Sequence, residues 1–116
     1  MNEPAVGTFA ELASDEPYPG VVRRTFDAVG ATVTSYEFSP GASFPLHRHT
    51  HEQITLVDEG SVHMRIGEDE PELSTGGWSV VPGGIEHGVT AGPPGARITA
   101  IIIPRRESGA YEVLGS

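Results

Sequence analysis

Apolar and polar positions alternate with a period of two along most of this chain, and that pattern predicts strands rather than helices. Residues 21–26 and 31–38 are rich in β-branched and aromatic side chains and read as two strands around a turn at 27–30. Further strands are expected near 44–49 and 53–58. Residues 61–66 alternate cleanly, and their apolar set, Val62, Met64 and Ile66, should face a core. Asp58-Glu-Gly60 between these two runs has the look of a hairpin turn. Residues 67–72 form an acidic surface turn. Short strands at 78–82 and 86–90 flank the Pro82-Gly-Gly turn, Ala91–Gly95 reads as a loop, and Arg97–Ile103 is the most apolar run. That last run is expected to be buried on both faces or in a subunit contact.

The ends differ. Residues 1–20 read as an N-terminal arm, in which Thr8-Phe-Ala-Glu11 has the spacing of a helix capping box, followed by a helix-breaking stretch up to Gly20. A single domain over 21–107 follows, and 108–116 form a tail that could add an edge strand or pack on a partner. Fifteen glycines and ten prolines punctuate the chain. Eight or more short strands with such turns suit an all-β, double-sheet jelly roll.

Composition narrows the function. One domain is what 116 residues allow. A net charge of −9 disfavours nucleic acid and anionic membranes as partners. The chain has no cysteine, hence no disulfide and no thiol chemistry. No apolar run approaches the ~20 residues of a membrane span, and the start lacks the basic and apolar regions of a signal peptide. A cytoplasmic protein is the resulting expectation.

Chemistry concentrates in two segments. His47 and His49 sit two apart and so share one face of a strand, and Gln53 can point back at the same spot from the next strand. The Pro82-x-Gly84-x-x-His87 turn ends in a further histidine. Three imidazoles and an amide oxygen suit a borderline divalent ion such as Zn, Fe, Mn, Ni or Co, with zinc or iron favoured. With glutamine in place of a carboxylate the centre keeps its full +2 charge, which suits a Lewis acid and favours anionic ligands.

These residues carry a resemblance. Gly41, five residues, His47-x-His49, three residues, Gln53 and then Gly60 resemble the first motif of the cupin superfamily. Gly76, five residues and Pro82-x-Gly84-x-x-His87 resemble the second. The resemblance covers roughly residues 30–106 and implies a double-stranded β-helix barrel with a metal on His47, His49, Gln53 and His87. Gln53 stands where many cupins have Glu, and Ala91 where the motif often has Asn.

Within that superfamily the histidine-rich run and the Pro104-Arg-Arg106 ending resemble small single-domain cupins. One branch linearises cyclic unsaturated uronates and carries Asp and Phe where this chain has Ala100 and Ile102, so the pocket here is expected to be more apolar. Another branch epimerises or tautomerises 2-oxo acids in natural-product pathways, β-methyl indolepyruvate among them. The resemblance therefore implies an isomerase or epimerase acting beside a ketone. The substrate would be an anionic small molecule with an apolar or aromatic part. A ferrous dioxygenase, a uronate-linearising enzyme and a non-catalytic binding module are the competing classes. Small cupins usually pair, which implies a homodimer.

The remaining candidates are read more plainly. His51 is structural and His63 points outwards. Glu86 faces away from the ligand His87. Trp78 is ordinary packing or a wall for a flat substrate, with Ala100 and Ile102 beside it in the pocket. Arg23 and Arg106 are surface arginines that could clamp a carboxylate and serve as weak catalytic candidates.

Overall fold

The structure is a computed structural model and describes residues 3–106 and the backbone of 112–113. Nine strands are seen among these residues: β1 (Ser14–Tyr18), β2 (Val21–Asp27), β3 (Thr32–Phe38), β4 (Ser43–Arg48), β5 (Glu52–Ile66), β6 (Glu72–Ser74), β7 (Trp78–Val81), β8 (His87–Ile103) and β9 (Glu112–Val113). All pairings are antiparallel, and the all-β jelly roll read from the alternating pattern is the observed fold.

Two strands bind the molecule together. β5 and β8 run beside each other for most of their length, Glu52 opposite Ile103 at one end and Ile66 opposite His87 at the other. The first half of β5 and the last half of β8 lie in a layer ordered β1-β2-β3-β8-β5-β7. Their other halves lie in a second layer ordered β9-β4-β8-β5-β6. Between the halves the register slips twice, between Val57 and Glu59 and between Gly60 and Val62. A bulge of this kind bends a strand and increases its twist.

That corner corrects two expectations. Asp58-Glu-Gly60 is a bend within one continuous strand and not a hairpin, and Ala91–Gly95 belongs to β8 and not to a loop. The glycines explain it. Gly60 has φ +82° and a Cβ there would overlap the Gly95 carbonyl oxygen; Gly95 has φ +79° and its Cβ would lie 2.7 Å from the carbonyl oxygen of Phe38. Positive φ and close backbone approach serve a corner as well as a turn.

The arm is also partly sheet. Ser14–Tyr18 pairs with β2, Asp15 opposite Arg23 and Tyr18 opposite Val21. Before it, Phe9–Glu11 forms a single 3-10 turn whose Thr8 makes no side-chain cap, too short for the expected box. The tail lies outside the described residues except for Glu112 and Val113, whose backbone pairs with β4 beside His47.

The core fills the space between the layers. Val21, Tyr36, Phe38, Phe44, Val57, Val62, Met64, Val81, Val89, Ile98 and Ala100 are buried there, and Ile66 packs against them half-buried. Arg97–Ile103 is not buried on both faces: Ile98, Ala100 and Ile102 point in, while Arg97 and Ile103 are exposed. Among the described residues no helix is long and apolar enough to cross a membrane.

Candidate metal centre

Three strands and the turn after β4 deliver the site. His47 comes from β4 and His49 from just beyond its end. Gln53 lies at the start of β5, and His87 opens β8 directly opposite His47. All four side chains are buried. The ligand nitrogens of His47, His49 and His87 lie within 4.8 Å of one another.

Each imidazole is held in one tautomer by main chain. His47 Nδ1 is 2.8 Å from the Pro45 carbonyl, His49 Nδ1 2.9 Å from that of His51, and His87 Nδ1 3.0 Å from that of Ile85. A carbonyl only accepts, so each Nδ1 carries the proton and each Nε2 presents a lone pair. Burial keeps the rings neutral. It is the largest cause of the lowered pKa in all three, and His47 falls to about 3 with further help from the neighbouring His87. Gln53 Nε2 donates to Thr55 Oγ1 at 3.0 Å. Its Oε1 lies 3.1 Å from His49 Nε2 and 3.3 Å from His87 Nε2.

Electron pairs therefore face electron pairs, with no proton between them. Buried acceptors in mutual contact are unfavourable unless a cation sits among them. The donor set fits a divalent transition ion with nitrogen and oxygen ligands, and backbone contacts orient the ligands from behind.

A narrow pocket opens beside His47, Gln53 and His87, walled by Tyr36, Phe38, Phe44, Val89, Ile98 and Arg106. The aromatic rings form a chain to the site: Tyr36 to Phe44 at 5.6 Å, nearly edge-on, then Phe44 to His47 at 4.7 Å. This wall was not evident from the sequence. β4 slips register between Phe44 and His47, so two residues an odd number apart both face inwards against the usual period.

The other candidates separate. Arg106 reaches the pocket and lowers the pKa of His47 and His49 by its charge; its backbone N–H donates to Thr32 Oγ1 at 2.9 Å. Arg23 is already engaged, with Nε and Nη2 on the two carboxylate oxygens of Asp15 at 3.0 and 2.6 Å. It also donates to Tyr36, so it braces the aromatic wall and is not placed as a clamp. Trp78 is 66% exposed on the outer face opposite Leu56, away from the pocket. Ala100 and Ile102 are buried on the inner face, opposite Thr55 and Gln53, behind the site and not among the lining residues. His51 contributes its carbonyl to His49. His63 is exposed beside Glu70, and Glu86 turns towards Arg65.

Residues 34–102 match the profile of the cupin domain. The chain belongs to the cupin family. Among solved structures, this cupin is similar to KdgF from Halomonas sp., at 26% identity with a TM-score of 0.77 over 84% of this chain and 92% of that one. It shares its fold with an RmlC-like cupin from Shewanella frigidimarina, at 23% identity with a TM-score of 0.82 over 90% of this chain and 95% of the other. It also aligns with oxalate decarboxylase from Bacillus subtilis, at 16% identity with a TM-score of 0.85 over 97% of this chain and 33% of that one. Among curated proteins, 61 residues are 41% identical to dimethylsulfoniopropionate lyase DddW of Ruegeria pomeroyi, covering 53% of this chain. The match spans 40% of that lyase's length. Relatives of this cupin thus carry the names of enzymes.

Proposed function

We propose that His47, His49, Gln53 and His87 hold one divalent ion, zinc or iron favoured, and that the protein is a metal-dependent isomerase or epimerase acting beside the ketone of a 2-oxo acid. The observation that carries this is the convergence of four neutral electron-pair donors beside a pocket with an aromatic wall and an arginine. When bound, such an ion supplies Lewis acidity towards a carbonyl oxygen. Neutral ligands leave its +2 charge uncompensated. Arg106 takes the substrate carboxylate, and Phe38, Phe44 and Tyr36 take the apolar or aromatic part and exclude water. The aromatic and aliphatic wall of Tyr36, Phe38, Phe44, Val89 and Ile98 supports this reading over uronate linearisation.

The test is a proton-exchange assay. Metal-loaded protein in deuterium oxide should wash deuterium into the carbon next to the carbonyl of an arylpyruvate. Gln53→Glu should keep the metal and slow the exchange. Oxygen consumed in step with substrate, with no exchange in its absence, would replace this reading by a dioxygenase.

The likeness to DddW favours a second reading, lyase action on an onium carboxylate. An aromatic wall attracts cations as well as flat rings, so dimethylsulfoniopropionate belongs in the same screen, with dimethyl sulfide release as the readout.

The assembly is part of the proposal. Leu56, Trp78, Val80 and Ile103 are exposed on the outer face of the β7-β5-β8 layer. An apolar strip of this kind marks an interaction surface, and the occupant proposed is a second copy of the chain.

A further inference from the structure

The three imidazoles have their direction fixed by main-chain carbonyls; the fourth donor depends on a side chain. Gln53 can present to the histidines either its oxygen or its N–H protons, because the two ends of an amide have nearly the same shape. With the oxygen inward, as in the structure, the buried amide N–H needs an acceptor on its far side. Thr55 Oγ1 is that acceptor, 3.0 Å away on a residue with no exposed surface. It sits two residues further along the inner face of β5, between Ala100 and Ser79 on the flanking strands.

The opposite orientation has its own appeal for a metal-free protein. Turned over, the amide would donate to Nε2 of His49 and His87, the two acceptors now 3.1 and 3.3 Å from its oxygen. Buried polar groups would then be satisfied without an ion, and the lone pairs that should bind metal would be occupied. Gln53 is therefore both a ligand and a potential plug. A threonine hydroxyl can serve either state, accepting from N–H or donating to C=O. Without it the two states are no longer balanced. The metal-accepting orientation would leave a buried N–H unpaired, whereas the plugged one would leave only a carbonyl oxygen under-used, the milder deficit.

We infer that Thr55 is a positioning residue that makes Gln53 a metal ligand, its hydroxyl accepting the amide proton so that Oε1 faces His49 and His87. This rests on the metal centre proposed above and not on the reaction assigned to it. Glutamate has no N–H to satisfy and two equivalent oxygens, so a cupin with Glu at position 53 has no such need of Thr55.

The test is a Zn²⁺ titration of the full chain against a competing chelator. Thr55→Val should weaken Zn²⁺ binding by about 10–100-fold, the usual cost of losing a group that orients a ligand, while Thr55→Ser stays near the wild type. In the Gln53→Glu background the same Thr55→Val change should cost much less. Equal losses in both backgrounds, or no loss in either, would overturn the inference. Wild-type protein that takes up no Zn²⁺ would overturn the metal centre and this inference together. If a thermal melt shows that Thr55→Val does not fold, the Gln53 side-chain amide in zinc-loaded wild type decides by NMR. Protons in slow exchange support the contact to Thr55, and protons in fast exchange refute it.

Discussion

Along β5 and β7, the buried Val57 and Val81 apart, the two faces invert the usual order. Gln53, Thr55 and Ser79 point inwards and are buried, while Ile54, Leu56, Trp78 and Val80 point outwards, Leu56 at 37% and Trp78 at 66% exposure. In the second layer the order is ordinary: Val62 and Met64 are buried and the alternating His63 and Arg65 are exposed. Burying polar groups costs free energy unless they are paired, and a contiguous exposed apolar strip is uncommon on a monomer. The inversion therefore marks two places where stability alone does not explain the residues. On the reading proposed above, the inner face serves a ligand and the outer face a partner.

The largest effects should come from emptying the inner face. His47→Ala or His87→Ala should weaken Zn²⁺ binding by more than the ~100-fold that loss of a supporting group costs, measured by chelator competition. Next comes the outer face. Trp78→Glu should raise the dissociation constant of the dimer by about 30-fold, or ~2 kcal/mol for a central aromatic anchor, by light scattering across a dilution series. It should leave Zn²⁺ binding intact. A wild type that scatters as a monomer at micromolar and higher concentrations would remove the partner from the picture.

Acid separates the two faces in another way. In the metal-free protein the folded state keeps His47 neutral down to about 3, whereas the unfolded chain takes a proton near 6.5. The unfolded state thus binds more protons across that window. Stability is insensitive to this group above 6.5 and falls as the pH drops towards 3, by about 1.4 kcal/mol per unit. Denaturant melts should show a shallower acid loss in His47→Leu and an unchanged one in Val80→Thr. The smallest effect is His63→Ala. This exposed residue alternates with the core set, and its loss should shift stability by no more than ~0.5 kcal/mol and leave Zn²⁺ binding unchanged.

What could be read from the sequence was local. His47, His49, Gln53 and His87 sit in short segments whose spacing fixes which way they point, and they do converge. Val62 and Met64 followed from simple alternation. Features set by distant pairing were not legible. Gly60 looks the same in a hairpin as in a corner, and only β8 running alongside makes it a corner. Ser14–Tyr18 contains acidic residues and a proline and becomes a strand because β2 offers an edge. Phe44 enters the pocket through a register slip that no periodicity predicts. Arg23 was a candidate clamp until Asp15, eight residues earlier, was seen to hold it.

A metal centre on the polar inner face must hold its ion where the four side chains converge. Diffraction at the absorption edge of the bound metal, on crystals of Zn²⁺-loaded protein, tests it most directly. One anomalous peak per chain is expected, about 2.0–2.2 Å from Nε2 of His47, His49 and His87 and from Oε1 of Gln53. A peak elsewhere, or one at this place with His87 turned away from it, would rule out the metal centre proposed.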